Sequence, residues 1–262
     1  MELFTKIRNL KFQDIPDLQG WIGDAKFGLQ QLSNYLDKNE KYDILEIGCG
    51  IGILLACLQE QYPKIITEGI EPYKGGFDRL KATKNLIPKS IGIRNLKFED
   101  FKPRKKYDII YSVNVFEHLL DWKLYIDKTK EWLKPQGVNI ILCPNYSFPY
   151  ESHFKIPILL NKKLTYLFFK NKINKFEKEN KSLGLWHSLN FIKMRDIKNY
   201  CIKNNLKFKY HNQIFNDIVN RLDDDKEFKK RQSFVGFFAK NLKKVGVLNL
   251  LNNHIFHSFH PY

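Results

Sequence analysis

Three carboxylates, a run of glycines and two histidines have the types and spacing to do chemistry in this 262-residue chain. Glu46 stands near the end of an apolar run (42–47) and is followed by Gly48, Gly50 and Gly52, with Cys49 between the first two. Glycines alternating after a buried strand let the backbone approach a ligand closely. A helix opening behind them offers free N–H groups, and the combination makes a nucleotide pocket. Glu71 lies 21 positions beyond Gly50, beside Pro72, at the tip of the next apolar run. A carboxylate there can accept both hydroxyls of a ribose. His118 follows Glu117 after a further apolar run (107–112), and imidazole is the side chain best suited to proton abstraction near neutral pH. The alternative is that Glu117-His118 caps the next helix and fixes the loop. Glu151 and His153 fall in a stretch dense in proline and aromatics (144–157), as proton acceptors or substrate anchors. The competing reading there is an ordered loop whose aromatics close the core.

The glycine spacing argues against a dinucleotide fingerprint, which would place its third glycine at 53, where Ile53 stands. The pattern E-x-G-x-G-x-G instead resembles motif I of class I S-adenosylmethionine-dependent methyltransferases. Three other segments extend the resemblance. Asp100 and Phe101 look like the acid that binds the adenine amino group and its apolar neighbour, with Glu99 the alternative acid. Residues 113–121, with Asn114 and Val115, are similar to the N-V-hydrophobic-E-H loop of small-molecule methyltransferases, including ubiquinone-type O-methyltransferases. In those proteins the loop backbone meets the methionine end of the cofactor. Residues 150–157 resemble a Y-E-x-H-F-x-I-P element of bacterial methyltransferases often found among surface-polysaccharide and natural-product genes.

The resemblance implies S-adenosyl-L-methionine as cofactor, held by Glu46, Gly48, Cys49, Gly50, Gly52, Glu71, Pro72, Asp100, Phe101, Asn114 and Val115. It implies a small polar acceptor, a saccharide or natural-product hydroxyl or amine. His118, with Glu151 or His153, would supply the base. The donor is already activated, so the protein has only to align donor, methyl and acceptor and remove a proton. Two alternatives stand beside this reading: methyl transfer to RNA, and a non-catalytic scaffold that keeps the fold.

The elements that must position these groups alternate along the chain. Trp21, Phe27, Leu29, Leu32 and Leu36 predict an N-terminal helical cap over 1–41. Strands are predicted at 42–47, 65–70, 96–98, 107–112 and 138–143, and the intervening helices include about 52–61 and 124–133. Lys134-Pro135-Gln136-Gly137 makes the turn into the fifth strand. This alternation predicts an α/β fold, a doubly wound and mostly parallel Rossmann-like sheet with ligands at its carboxyl edge. The cofactor-binding core is assigned to 42–143, and a substrate loop and basic helical insertion to 144–190. The end of the core and a helical C-terminal region take 191–262. A helix over 191–204 and a sixth strand at 206–210 are expected, and His187 is a further candidate for substrate contact. The insertion reads as a solvated helical hairpin. No clear seventh strand is visible: Phe234 to Ala239 reads better as helix, and the chain stops at His260-Pro261-Tyr262.

Composition bounds the partners. Lys and Arg total 44 against 28 Asp and Glu, a net charge of +16. A polyanionic partner is one reading, and lysine-filled solvated faces are the favoured one, because arginine forks for phosphate and bases are sparse. Residues 155–181 hold eight lysines against two glutamates, which suits a substrate lid, an anionic membrane contact or a nucleic-acid surface. A small-molecule acceptor is favoured over nucleic acid, because no appended RNA-binding module is visible and the Asn/Asp-Pro-Pro-Tyr/Phe motif of base-amine methylases is absent after the fourth strand. Four scattered cysteines without C-x-x-C spacing predict neither a disulfide scaffold nor a metal site and suit the reducing cytoplasm. No signal pattern opens the chain, and no apolar run reaches the ~20 residues of a membrane span.

Overall fold

Strand-length apolar runs alternate with amphipathic helices, and they assemble a single twisted sheet with helices on both faces. The computed structural model describes residues 18–74, 91–211, 213–226, 228–230 and 259–261. The strands are β1 (Asp43–Ile47), β2 (Ile66–Ile70), β3 (Gly92–Arg94), β4 (Tyr107–Val113), β5 (Leu133–Leu142), β6 (Tyr150–Glu151), β7 (Ile156–Pro157), β8 (Phe208–Tyr210) and β9 (Phe259–Pro261). Seven of them form the main sheet in the order β3-β2-β1-β4-β5-β9-β8, parallel except for β9, which is antiparallel to both its neighbours. The order reverses between β1 and β4, and that switch point opens a crevice at the carboxyl ends.

Two cores lie against the sheet. On one face α1 (Leu18–Ser33) and α2 (Ile53–Gln61) bury Leu18, Ile22, Leu32, Leu54 and Leu55 against Ile44, Ile109 and Tyr111. Gly28 permits the close approach of these helices, since a Cβ there would meet Leu54 Cδ2 at 2.8 Å. On the other face α3 (Trp122–Trp132) and, further along the chain, α6 (Met194–Lys203) cover Leu45, Ile47, Tyr107 and Ile141. A third, smaller core of Phe154, Ile156, Ile173, Leu185 and Trp186 joins the β6–β7 hairpin to α4 (Lys162–Glu179) and α5 (Leu185–Ser188). The last described helix, α7 (Ile214–Asp224), docks on α1: Arg221 pairs with Asp24 at 2.8 Å, and Gln31 donates to Asp217 at 3.0 Å.

Several sequence expectations are corrected here. The third strand is Gly92–Arg94, and Phe98–Asp100 is instead a single 3-10 turn that buries Phe98 under Tyr125. Two partly exposed residues beside a glycine gave that strand no apolar signature, and only pairing with β2 defines it. The basic insertion forms one 18-residue helix, α4, and not a hairpin of two. Its N-cap Asn161 accepts from Leu164 N at 2.9 Å, and no glycine or proline interrupts it before Gly184. A seventh strand does exist. It is β9, formed by the chain's final residues, in register with Ile141 and Phe208. The Lys134–Gly137 turn lies inside β5 as an irregularity between the Tyr107–Leu133 and Ile109–Val138 pairings. Residues 1–17 of the expected N-terminal cap and Phe234–Ala239 lie outside the described residues.

Candidate active site

The carboxyl ends of β1, β2, β4 and β5 deliver their loops side by side. Gly48, Gly50 and Gly52 all adopt positive φ, at 73°, 53° and 84°, a region that favours glycine. The N–H groups of Gly48 and Cys49 both bond Ile70 O, at 2.8 and 3.1 Å, tying the turn to the end of β2. Glu71 completes this tie: its Oε2 accepts from Gly50 N at 3.0 Å and its Oε1 from Tyr73 N at 3.1 Å. The Tyr73 hydroxyl returns a hydrogen bond to Gly50 O at 3.1 Å. The carboxylate expected at the ribose position is therefore held rigidly against the glycine turn, each oxygen keeping a second lone pair. Gly52 N-caps α2 with no side-chain cap, so the first N–H groups of that helix face the crevice.

Glu46 lies one layer below, buried and hydrogen-bonded by the Tyr111 hydroxyl at 2.9 Å. Burial pushes its carboxyl up to about 8. Cys49 is buried, and its thiol is raised well above the usual range by the same desolvation and by the nearby carboxylates. It packs against the sheet at Gly69, where a Cβ would meet Cys49 Sγ at 2.6 Å. Asn114, exposed and at φ 54°, donates its N–H to Leu142 O at 2.8 Å. This sharp exit from β4 throws Val115 over the glycine turn, where a Cβ on Gly48 would lie 2.3 Å from Val115 Cγ2. Pro72 is partly exposed at the rim. Asp100 is exposed, whereas Phe101 is buried, edge-on to Trp132 at 5.1 Å under the Arg94 guanidinium.

The other end of the crevice is built from side chains that are far apart in sequence. Residues 116–118 form a 3-10 turn after Val115, with Glu117 wholly buried. The His118 and His153 rings meet with centroids 5.7 Å apart, which brings the β6–β7 hairpin onto the loop after β4. His153 Nδ1 lies 2.6 Å from Glu151 Oε1, and Glu151 Oε2 accepts from Phe154 N at 2.8 Å. Burial alone would raise the Glu151 carboxyl, but the hydrogen bond and charge of His153 outweigh it and hold it below its usual range. Glu151 thus faces inward as the brace of His153, its oxygens taken up by His153, Phe154 N and, at 3.4 Å, the Tyr146 hydroxyl.

His118 Nδ1 lies 2.8 Å from Ser188 Oγ, and the Ser188 hydroxyl proton goes to Leu185 O at 2.7 Å. The serine oxygen must therefore accept, which makes His118 the Nδ1–H tautomer with its Nε2 lone pair facing the cluster. Burial and the neighbouring His153 lower His118 to about 4, so it is neutral under ordinary conditions. Burial raises Glu117 to about 7, and neither of its carboxylate oxygens has a hydrogen-bond partner among the described residues. His187 is exposed and sits apart, its carbonyl accepting from Lys162 at 2.9 Å.

Sequence reasoning treated Glu117 only as a helix cap, took His187 as the candidate from the His-x-x-Asn-Phe segment that also holds Asn190, and passed over Ser188 and Tyr73. Asn190 pins the whole loop: its Nδ2 donates to Phe116 O at 2.7 Å and to Leu119 O at 3.1 Å, and its N–H to Glu117 O at 2.7 Å. The Glu-His pair next to an Asn-Val exit was the available signal for Glu117. For Asn190 the signal was the His-x-x-Asn-Phe segment; Ser188 had none, because it reaches the site across about 70 residues of chain.

A cofactor of nucleoside and amino-acid type fits this chemistry. The crevice offers a positive-φ glycine turn, a rigid carboxylate at the β2 tip, an uncapped helix start and an exposed acid at Asp100. Comparisons with known proteins agree. A methyltransferase-domain family model matches residues 24–203, well over half of the chain. The Mycobacterium tuberculosis (strain ATCC 25618 / H37Rv) protein Rv1509 is 32% identical over 195 residues, covering 72% of this chain and 66% of that one. The chain thus spans just under two thirds of that relative's length. The malonyl-acyl-carrier-protein O-methyltransferase 2 of Ilyobacter polytropus is 26% identical over 223 residues, covering 83% of this chain and 70% of its own length. Among solved structures, the plantazolicin methyltransferase BpumL in complex with SAH superposes with a TM-score of 0.52 at 12% identity, covering 99% of this chain and 88% of its own, a likeness of fold. The chain belongs to the methyltransferase-domain family, whose methyl donor is S-adenosylmethionine.

Proposed function

We propose that this protein transfers a methyl group from S-adenosylmethionine to a small polar acceptor, a hydroxyl or amine of a saccharide or natural product. The observation that carries the reading is the convergence of two differently built ends on one crevice. The glycine turn, Glu71 and Val115 form one end, and the Glu117, His118 and His153 side chains form the other. Gly48, Gly50, Gly52, Glu71 and Pro72, with the Asn114–Val115 backbone and Asp100, are assigned to the cofactor. Glu46 and Cys49 support the turn from beneath, and Phe101 anchors the Asp100 turn in the core.

When bound, the cofactor supplies an activated methyl group on a sulfonium. The chain's own residues then align the acceptor and take up its proton. The histidines fit that duty because Nδ1 of each is engaged, by Ser188 or by Glu151, which leaves Nε2 as the nitrogen free to take a proton. Glu151 is a positioning residue. Before the hairpin Tyr146 stacks on Phe191 at 4.6 Å, an aromatic pair that supports a small acceptor in this reading. Among the described residues no helix is long and apolar enough to cross a membrane.

Calorimetry with S-adenosylhomocysteine tests the first half of the reading, and micromolar binding is expected. Turnover on a panel of sugars, amino sugars and phenols, followed by mass spectrometry, tests the second. A product heavier by one methylene supports it. Undiminished cofactor binding by Gly50→Val would refute the assignment of the turn, and binding without turnover on any acceptor would favour the scaffold reading.

A further inference from the structure

Glu117, His118 and His153 share a feature that proton transfer does not require. One ligand atom from each, a carboxylate oxygen and two ring nitrogens, lies within 4.8 Å of the others. The three come from two segments, the 3-10 turn after β4 and the β6–β7 hairpin, which fold together only through tertiary packing. Each imidazole has its Nδ1 fixed from behind, His118 by Ser188 Oγ at 2.8 Å and His153 by Glu151 Oε1 at 2.6 Å. That leaves Nε2 of each ring as the nitrogen free to ligate, and His118 Nε2 points at Glu117 Oε1. Histidines that ligate metals are oriented in this way, with the distal N–H given to a carboxylate or oxygen acceptor.

We infer that Glu117, His118 and His153 form a binding site for one divalent transition-metal cation, zinc(II) in character, at the acceptor end of the crevice. Two imidazoles and one carboxylate are a donor set that zinc(II) and neighbouring first-row ions accept, with further coordination positions left open.

Three observations support a cation over hydrogen bonding within the cluster. First, both oxygens of Glu117 are buried without a partner among the described residues, although the residue is 0% exposed. An ionised carboxylate in that position needs a positive counterpart, which a bound cation would supply in place of the His153 proton once that ring ligates. Second, Glu117 and Glu151 are both buried, and among the described residues neither forms an ion pair with lysine or arginine; their ion-pair contacts are to histidine alone. Third, the geometry is close to closed. Two ligands on one cation, each at about 2.0–2.2 Å, can stand at most roughly 4.4 Å apart, and His118 Nε2 already lies 3.9 Å from Glu117 Oε1. Rotation of imidazoles that are 17% and 27% exposed supplies the remainder and leaves the site open to solvent on one side.

This inference deepens the proposed reaction and rests on it for its purpose: the open positions would hold the acceptor's oxygen or nitrogen and favour its deprotonated form. The cation site itself stands on the side chains alone.

The test is metal binding by the full-length protein. Chelator-stripped protein is titrated with zinc(II) chloride by calorimetry, and the bound metal is counted by elemental analysis after gel filtration. Cobalt(II) chloride serves as the spectroscopic probe. One zinc per chain is expected, with visible cobalt absorption typical of a low-coordinate nitrogen and oxygen site. Glu117→Gln and His153→Ala should each weaken zinc at least about tenfold, while His187→Ala leaves binding unchanged. Circular dichroism and S-adenosylhomocysteine affinity confirm that each variant is folded; should Glu117→Gln not fold, His118→Ala takes its place. Substoichiometric zinc, or zinc binding equal in the wild type and the His118→Ala/His153→Ala double variant, overturns the inference. Loss of metal binding with intact cofactor binding and turnover would refute the metal site alone. Metal binding without any cofactor binding would refute the proposed reaction alone.

Discussion

The two ends of the crevice are built by opposite means. The donor end is made almost wholly of backbone: three positive-φ glycines, N–H groups returned to Ile70 O, and a carboxylate clamped by two further N–H groups. The acceptor end is made of side chains from three segments, the turn at 116–118, the hairpin at 150–157 and the return through Ser188 and Asn190. A backbone site tolerates sequence change except where a Cβ would intrude, so its signature is glycine spacing. A side-chain site depends on each residue's partners, so it changes with the loops that carry it. That difference teaches why the donor is a family property while the acceptor belongs to the individual chain.

The comparison is broken most directly at Gly48. Gly48→Val combines a strained φ of 73° with an approach of 2.3 Å to Val115 Cγ2. Together these should weaken cofactor binding by about a hundredfold or more and destabilise the fold by roughly 2–5 kcal/mol. Calorimetry and thermal melting measure the two effects, and Val115→Ala in the same background should recover part of the binding loss. Full binding by Gly48→Val would mean that the turn is not the donor site.

Next in size is Glu151→Gln. Removing the buried charge that fixes His153 should cost about 1–3 kcal/mol. Turnover should fall while the Kd for S-adenosylhomocysteine holds, because among the described residues the hydrogen bonds of the glycine turn and Glu71 do not reach the hairpin. A matching loss of cofactor affinity would merge the two ends into one unit.

Glu46→Gln should act on stability through pH. The folded carboxyl is raised from 4.5 to about 8 by burial. A raised acid keeps its proton in the fold but loses it when unfolded, so its stabilising contribution is complete below 4.5 and declines as pH rises toward about 8. Glutamine removes that slope while still accepting from Tyr111. The melting temperature of the variant relative to wild type should therefore rise between those pH values in the ligand-free protein and level off above them. A constant difference across the range would show that Glu46 titrates normally.

The smallest effect sharpens the contrast from outside the crevice. Leu167 and Phe168 on α4 are 72% and 69% exposed. Leu167→Ser and Phe168→Ser should alter stability by no more than about 0.5 kcal/mol and leave cofactor affinity untouched, as urea melts would show.

The legible part of the protein follows the same division. Buried parallel strands read as apolar runs because both faces are covered, so β1, β2, β4 and β5 stood out, and the glycines and Glu71 were visible at their tips. The third strand was misplaced by a few residues because Gly92–Arg94 is half exposed and short. β9 went unseen because three residues at the chain's end carry no period, and only pairing between β5 and β8 makes them a strand. In the acceptor half Glu151 and His153 were singled out as proton acceptors or substrate anchors, but that Glu151 braces His153 was not legible, since a sequence does not show which lone pairs are spent on neighbours.

What the sequence determined by itself was therefore local and repetitive: the strand–helix alternation and the glycine turn proposed for the donor. The tertiary structure alone decided that Glu117 is buried with no hydrogen-bond partner among the described residues and that the rings of His118 and His153, 35 positions apart, meet. It also decided that Ser188 and Asn190 return to hold them. The reason is physical. Backbone conformation is encoded within a few residues, whereas the protonation, tautomer and ligating power of a side chain are set by whatever the fold places beside it.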